Sequence, residues 1–363
     1  MRVMIVNGSP REGGYTSDMI ALFRKGVESA GGEVDELLLR KMRIESCAGC
    51  FQCWVGKTAG QCIFSDDMND IIPRYLDSDA LVLASPMYYY TFSALMKVFI
   101  ERLFPTMQPG LDTGGALGLR NRPRFPDKGP KKCLLIATCG LRNAKTMHAM
   151  VSTFELICDA VAAESSGVLL RPESNSLDFI EAKPKVLRQV YDAFVKAGVE
   201  LIAEGRVSKE TERQAGQSFS ASEEIFAEHF KNYWAVASEI GPEWIDRKVL
   251  AMRATEDPRI IIRELAGNFD PRAAGNREAV IQFVLIDSIH GEWNLAISQG
   301  VCTVNEGLHA CPNLKLTMSF RTFADISLQK TANRAAFQRG LIEIEGDRRL
   351  LADINRLFPR TSG

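Results

Sequence analysis

"RVMIVNGSPREGGYTSDMIALF", residues 2–23, decides how the first half of this chain folds. Residues 3–6, "VMIV", form a short unbroken apolar run, the pattern of a strand buried on both faces. "NGSPREGG" interrupts it with turn formers. From Thr16 onward Met19, Ile20, Phe23 and Val27 recur at helical spacing, until Gly31 and Gly32 end the helix. A strand that runs through a glycine- and hydroxyl-rich loop into a helix aims backbone amides at one point, which suits an anion. Ser9, Thr16 and Ser17 add hydroxyl donors, and Arg11 adds a positive charge. No Gly-Lys-Ser/Thr follows and no Gly-x-Gly-x-x-Gly is present, so the loop is neither a triphosphate loop nor a dinucleotide fingerprint.

The same alternation continues outward. Apolar runs at 33–39, 80–85, 133–138 and 167–171 are separated by helical stretches through Leu95–Phe99–Leu103, around 147–161 and over 186–202. Five such strands predict a doubly wound parallel sheet with its ligand at the carboxyl ends of the strands. Two further landmarks fall at those ends. "SPMYYYTFSALMKVFIERL", residues 85–103, puts three tyrosines in a row where a strand stops, able to flank a flat aromatic ligand. "ATCGLRN", residues 137–143, carries Gly140, which lets backbone approach a ring edge. The stretch 109–132, rich in Gly, Pro and Arg, is expected as a long surface loop.

Composition limits the function classes. The 363 residues suit two domains, 46% are hydrophobic and 25% charged, and a net charge of −1 gives no footprint for nucleic acid or an acidic membrane. No apolar run approaches the ~20 residues of a spanning helix. No signal-peptide pattern opens the chain, so a cytoplasmic location is expected. His148, His229, His290 and His309 are scattered and form no catalytic or metal cluster in the sequence. The nine cysteines are odd in number and uneven in spacing, unlike a disulfide framework.

Four of them lie in "CAGCFQCWVGKTAGQC", residues 47–62. Overlapping Cys-x-x-Cys-x-x-Cys with a fourth nearby resembles an iron–sulfur ligand run more than zinc, which takes two well-separated pairs. Three readings stay open: cluster ligands Cys47, Cys50, Cys53 and Cys62, a thiol–disulfide couple, or a packed loop of inert thiols.

The set "NGSPR..G.T", "C..C..C", "DDM" (66–68) and "SP.Y....SALMK.FIERL" resembles the NAD(P)H-dependent FMN reductase branch of the flavodoxin-like superfamily, in particular the iron–sulfur flavoproteins. The resemblance covers about residues 1–200. It implies a flavodoxin-like doubly wound five-stranded parallel sheet in the order 2-1-3-4-5 and non-covalent FMN. By motif position Ser9, Arg11, Tyr15, Thr16 and Ser17 would bind the phosphate, Tyr15 standing where many relatives have Asn. Pro86, Met87, Tyr88 and Tyr89 would line one side of the flavin, and Cys139 and Gly140 its pyrimidine edge. The eight residues between Cys53 and Cys62 depart from the compact loop of the cluster-binding members. Such enzymes are usually dimers or tetramers, so Arg102 and the loop after it are expected at an interface.

Beyond Arg206 the pattern changes. The polar stretch "RVSKETERQAGQSFSAS", 206–222, is expected as linker, followed by an aromatic-rich helix. "AVIQFVLID", "EWNLAISQG", "CTVNEG" and "NLKLTMSF" then crowd together, predicting antiparallel pairing in an α+β unit. With "AFQRGLIEIEGDRRLLADINRLFP", 336–359, they resemble the sterol carrier protein family over about residues 257–358, which implies an apolar tunnel. Phe283, Leu285, Leu316, Met318, Phe323 and Phe337 are its candidate lining.

These readings divide the chain into a flavodoxin-like FMN-binding domain at 1–205, linker and helix at 206–250, and a lipid-binding domain at 251–363. The function they imply is an FMN-dependent NAD(P)H oxidoreductase. Hydride passes from nicotinamide to flavin, then to a small-molecule acceptor such as a quinone, with flavin rather than side chains carrying the chemistry. The alternatives are electron transfer through a [4Fe-4S] cluster, and a lipid-binding protein with a redox-sensing flavodoxin-like module that does not turn over.

Overall fold

The computed structural model describes residues 1–115, 118–178, 184–220, 222–240, 257–286, 290–327 and 333–359. The chain divides into two compact units, Met1–Leu177 with Arg188–Ser218, and Asp178–Leu187 with Phe219–Gly363. The boundary expected at 250/251 lies outside the described residues.

In the first unit, β1 (Arg2–Asn7), β2 (Glu33–Leu38), β3 (Ala80–Pro86), β6 (Lys132–Thr138) and β7 (Glu164–Arg171) form one parallel sheet in the order β2-β1-β3-β6-β7. Counting only the strands of this sheet, that is the expected 2-1-3-4-5, the flavodoxin-like order. Met4, Val6, Leu81, Leu83 and Leu135 share one core with Ile71 and Tyr75 of α2 (Met68–Leu76), Met96 and Phe99 of α3 (Ala94–Glu101), and Phe154 of α4 (His148–Ala160). The alternating residues Val3, Ile5, Val82 and Ile136 are just as buried, as period-2 strands covered on both faces require.

Two helices of this unit approach closely through glycines. A Cβ on Gly26 of α1 (Tyr15–Ser29) would sit 1.9 Å from the Val195 carbonyl oxygen of α5 (Pro184–Glu204), and one on Gly198 would sit 2.2 Å from the Phe23 carbonyl oxygen. Only glycine on both sides allows this backbone contact.

Two stretches differ from the sequence expectation. Residues 109–132 are not a plain loop: β4 (Met107–Gly115) and β5 (Gly118–Pro123) pair antiparallel with register shifts as a two-stranded arm. The polar stretch after Arg206 contains helix α6 (Lys209–Ala215), whose N-cap Ser208 accepts from the Thr211 amide and whose Thr211 and Ala215 are buried. Buried Arg171 donates to the carbonyls of Ala215 and Gln217, at 2.9 and 2.6 Å, which fastens this stretch to the end of β7.

The second unit holds a mixed sheet, β10 (Val301–Glu306), β9 (His290–Ser298), β8 (Ala279–Ile286), β11 (Leu314–Met318) and β12 (Ile342–Gly346), in that order. β8, β9 and β10 pair antiparallel as expected, but β11 runs parallel to β8, because the chain crosses the sheet before entering it. Phe283, Leu285, Leu316, Met318 and Phe323 all lie in this unit's core. Phe337, also expected as lining, is instead 55% exposed. Among the described residues no helix is long and apolar enough to cross a membrane.

Candidate flavin site

The carboxyl ends of β1, β3 and β6 bring the three sequence landmarks together. Leaving β1, the buried Asn7 accepts from the Ser9 amide at 3.0 Å and donates to Ser17 Oγ at 3.2 Å, folding the loop back onto the start of α1. Ser9 Oγ accepts from the Arg11 amide at 3.2 Å. The N-cap of α1 is Gly14, and no side chain caps this end. A helix start that follows a glycine- and hydroxyl-rich loop turns its N–H groups and the positive end of its dipole toward that loop, as anion-binding helix starts do. Thr16 Oγ1 lies 2.8 Å from Thr138 Oγ1, so α1 begins against the end of β6. Ser9, Tyr15 and Thr16 are buried while Arg11 is exposed at the loop's outer edge.

Gly8 is required by close packing. Ser93, the N-cap of α3, accepts from the Met96 amide and donates to the Gly8 carbonyl at 2.6 Å, and a Cβ on Gly8 would stand 2.9 Å from Met96 Cβ.

After β3 the Met87 amide donates to the Thr138 carbonyl at 2.8 Å. Tyr88 and Thr91 then exchange backbone hydrogen bonds of 3.0 and 3.2 Å around Tyr89 and Tyr90, both at positive φ, +49° and +69°. That is a type I′ turn, which normally takes Asn or Gly. Two tyrosines there store backbone strain, and Tyr89 is 97% exposed. This exposed aromatic turn lies at the same end of the sheet as the loop between β1 and α1, and its rings are not part of the core. Tyr90, the second residue at positive φ, shares this turn with Tyr88 and Tyr89, its ring centroid 6.3 Å from that of Tyr89.

At the end of β6, Cys139 is buried, its amide donating to the Arg171 carbonyl and its Sγ accepting from the Leu141 amide at 3.2 Å. Burial pushes this thiol's pKa up, so at neutral pH it is a neutral thiol. Ser9, Arg11, Thr16 and Ser17 thus lie around the start of α1, Pro86–Tyr89 leave the neighbouring strand, and Cys139–Gly140 the next. The chemistry of this donor set fits FMN, with a phosphate monoester at the helix start and a flat ring beside the aromatic turn.

The cysteine stretch lies against α3. Cys47, Cys50, Cys53 and Cys62 line one pocket together with Phe51, Phe64 and Arg102. Burial, then the neighbouring Cys62, Cys47 and Cys50, push the Cys53 thiol up. All four are free thiols. Among the described residues no three His, Cys, Asp or Glu side chains converge closely enough to hold a metal ion.

Arg102, expected at an interface, is buried within its own chain. It is 1% exposed, gripping Asp66 with Nη1 at 2.6 Å and Nη2 at 3.0 Å and the Glu45 carbonyl with Nη1 at 2.5 Å. Asp66 also accepts from the Glu45 and Met68 amides at 2.8 and 3.1 Å. Burial opposes its charge, but the Arg102 bond and these amides outweigh it and hold the carboxyl below the usual range. Trp54 Nε1 donates to the Phe104 carbonyl at 3.0 Å, and Arg124 Nη2 to the Cys53 carbonyl at 3.2 Å. The cysteine loop is therefore pinned from both sides. These long-range partners left one sequence signal, the paired aspartates at 66–67.

Fold and site together define a flavodoxin-like flavin-binding domain. Residues 1–148 match the family described as NADPH-dependent FMN reductase, and residues 252–362 match the one described as alkyl sulfatase C-terminal. The chain is 30% identical to a Bacillus subtilis protein named putative NAD(P)H-dependent FMN-containing oxidoreductase over 174 residues, 47% of this chain and 84% of that one. It belongs to the NADPH-dependent FMN reductase family. It is also 37% identical over 105 residues to an iron–sulfur flavoprotein of Archaeoglobus fulgidus, 29% of this chain and 46% of that one. It spans about half the length of the first curated relatives it matches, 46% and 53%. Among solved structures, sterol carrier protein 2 like 2 of Aedes aegypti matches at 24% identity, 29% of this chain and 98% of that one, with a TM-score of 0.25.

Proposed function

We propose that this chain is an FMN-dependent NAD(P)H oxidoreductase that reduces a small hydrophobic acceptor such as a quinone. The observation that carries the reading is the hydroxyl-rich loop folded onto the start of α1 beside the positive-φ tyrosine turn, at the carboxyl ends of adjacent strands. Bound FMN would supply hydride acceptance and onward electron delivery. The chain's own residues bind and orient. Ser9, Thr16, Ser17 and the first-turn amides hold the phosphate, and Arg11 adds charge at the edge. Tyr88, Tyr89 and Tyr90 bound the ring's open side, where a nicotinamide must stack, and buried Cys139 keeps water from its inner edge. No side chain needs to transfer a proton for the binding and orientation described.

The second unit would hold a hydrophobic compound, a role supported by its likeness to the sterol carrier family, and the working assembly would be a homodimer or tetramer. A test of the phosphate site is fluorescence titration of the apoprotein with FMN and riboflavin. FMN is expected to bind at least about ten-fold more tightly, on the scale of one or more charge-assisted hydrogen bonds. Equal affinity would remove the phosphate site from the account. A second reading, electron transfer through an iron–sulfur cluster, is favoured by the four cysteines around one pocket. Iron and labile sulfide in anaerobically purified protein would support it, and their absence would leave the loop a structural one.

A further inference from the structure

We propose that Asn175 is a flavin-recognition residue, its carboxamide reading the N3–H and adjacent carbonyl of the pyrimidine ring. The proposal rests on the flavin site described above. Asn175 is the second residue of the 3-10 helix Ser174–Asp178, in the turn after β7. Its side chain lies against Gly140: a Cβ built on that glycine would stand 3.4 Å from both the amide nitrogen and the oxygen of Asn175. The carboxamide is only partly buried and makes no hydrogen bond among the described residues.

The backbone around it is fastened. The Ser174 amide donates to the Cys139 carbonyl, the Glu173 amide to the Leu141 carbonyl, and the Ser176 amide to the Glu173 carbonyl, each at 2.9 Å. Glu173 is fully buried and held at φ +52°, a conformation that non-glycine residues rarely adopt. Its side chain reaches Arg142 at 3.5 Å. Strain of this kind persists only where the surroundings enforce it. Here it turns the chain sharply after Pro172 and sets Asn175 beside Gly140 instead of letting β7 run on.

A carboxamide offers an acceptor and two donors in one plane. The pyrimidine edge of a flavin offers the complement, one N–H between two carbonyl oxygens. Gly140 has no side chain and the Cys139 thiol is a weak donor and acceptor already engaged by the Leu141 amide, so Asn175 has the side chain suited to both kinds of group. Gly140 leaves the space through which it reaches them.

The test uses the full-length chain and compares FMN with 3-methyl-FMN, in which N3 cannot donate. Wild type should bind 3-methyl-FMN about ten-fold more weakly than FMN, the scale of one lost hydrogen bond with its desolvation. Asn175→Ala should weaken FMN by a similar factor and erase the discrimination between the two flavins. Asn175→Asp, which keeps the size but loses the donors, should weaken FMN at least as much, and unchanged far-ultraviolet circular dichroism confirms that both variants fold. If wild type discriminates and Asn175→Ala discriminates equally, another residue reads the ring and the assignment is wrong. If wild type binds neither flavin, the flavin site fails and this inference with it.

Discussion

Replacing Arg102 with leucine would leave the Asp66 carboxylate buried without its counter-charge. The guanidinium makes two hydrogen bonds to Asp66, at 2.6 and 3.0 Å, and both side chains are essentially inaccessible, at 1% and 0% exposure. Breaking a buried pair by removing one partner costs about 3–5 kcal/mol, since the remaining charge has lost both water and partner. For a unit of about 200 residues that lowers the unfolding midpoint by about 6–20 °C. Calorimetry of wild type, Arg102→Leu, Asp66→Leu and the double variant tests this. The double variant should lose less than the sum of the singles, because it strands no charge. The sign with pH follows from the Asp66 shift. Its pKa in the fold lies below the unfolded value of 3.8, so the pair's contribution is complete above about pH 4 and is lost as pH falls through the native value. Wild type should therefore lose stability more steeply than the double variant below about pH 4. A single-variant loss under about 1 kcal/mol, with parallel acid profiles, would mean that the pair is solvated and the loop held by other contacts.

Other outcomes follow from the same geometry. Gly198→Ala should destabilise by at least about 1–3 kcal/mol, as overpacking does, because its Cβ would meet the Phe23 carbonyl at 2.2 Å; chemical denaturation measures it. Thr16→Val should weaken FMN several-fold, by about one net hydrogen bond, with a smaller effect on riboflavin, read by flavin fluorescence. Replacing both Tyr89 and Tyr90 with glycine relieves positive φ at two positions, so stability should rise by up to about 1–3 kcal/mol per site while NADPH-driven turnover falls. Turnover unchanged by that exchange would remove the tyrosines from the ring site.

Much of the first unit was legible because its signals are local. "VMIV", "ALVLAS" and "CLLIAT" are unbroken apolar runs, and a helix between each pair admits few arrangements other than a parallel sheet. The phosphate loop, the tyrosines and Cys139–Gly140 could be placed at one end for the same reason. Where the reading failed, the decisive contact was long-range. The arm at 107–123 is built from Gly and Pro with register shifts, so its strands carry no clean alternation. Helix α6 is polar except for the face carrying Thr211 and Ala215, which Glu200 of α5 and Arg171 at the end of β7 hold. Arg102 finds Asp66 across 36 positions, and Asn175 meets Gly140 only because two strands lie side by side. The parallel placement of β11 beside β8 depended on the crossing connection, which the short spacing of strands disguised.

The central claim is best met by one anaerobic absorbance experiment on full-length protein reconstituted with FMN and freed of excess. One flavin per chain, with its visible bands bleaching on addition of NADPH or NADH and returning when a quinone is supplied, is the expected result. A chain that keeps no FMN, or whose bound FMN stays oxidised with either nicotinamide, would contradict it.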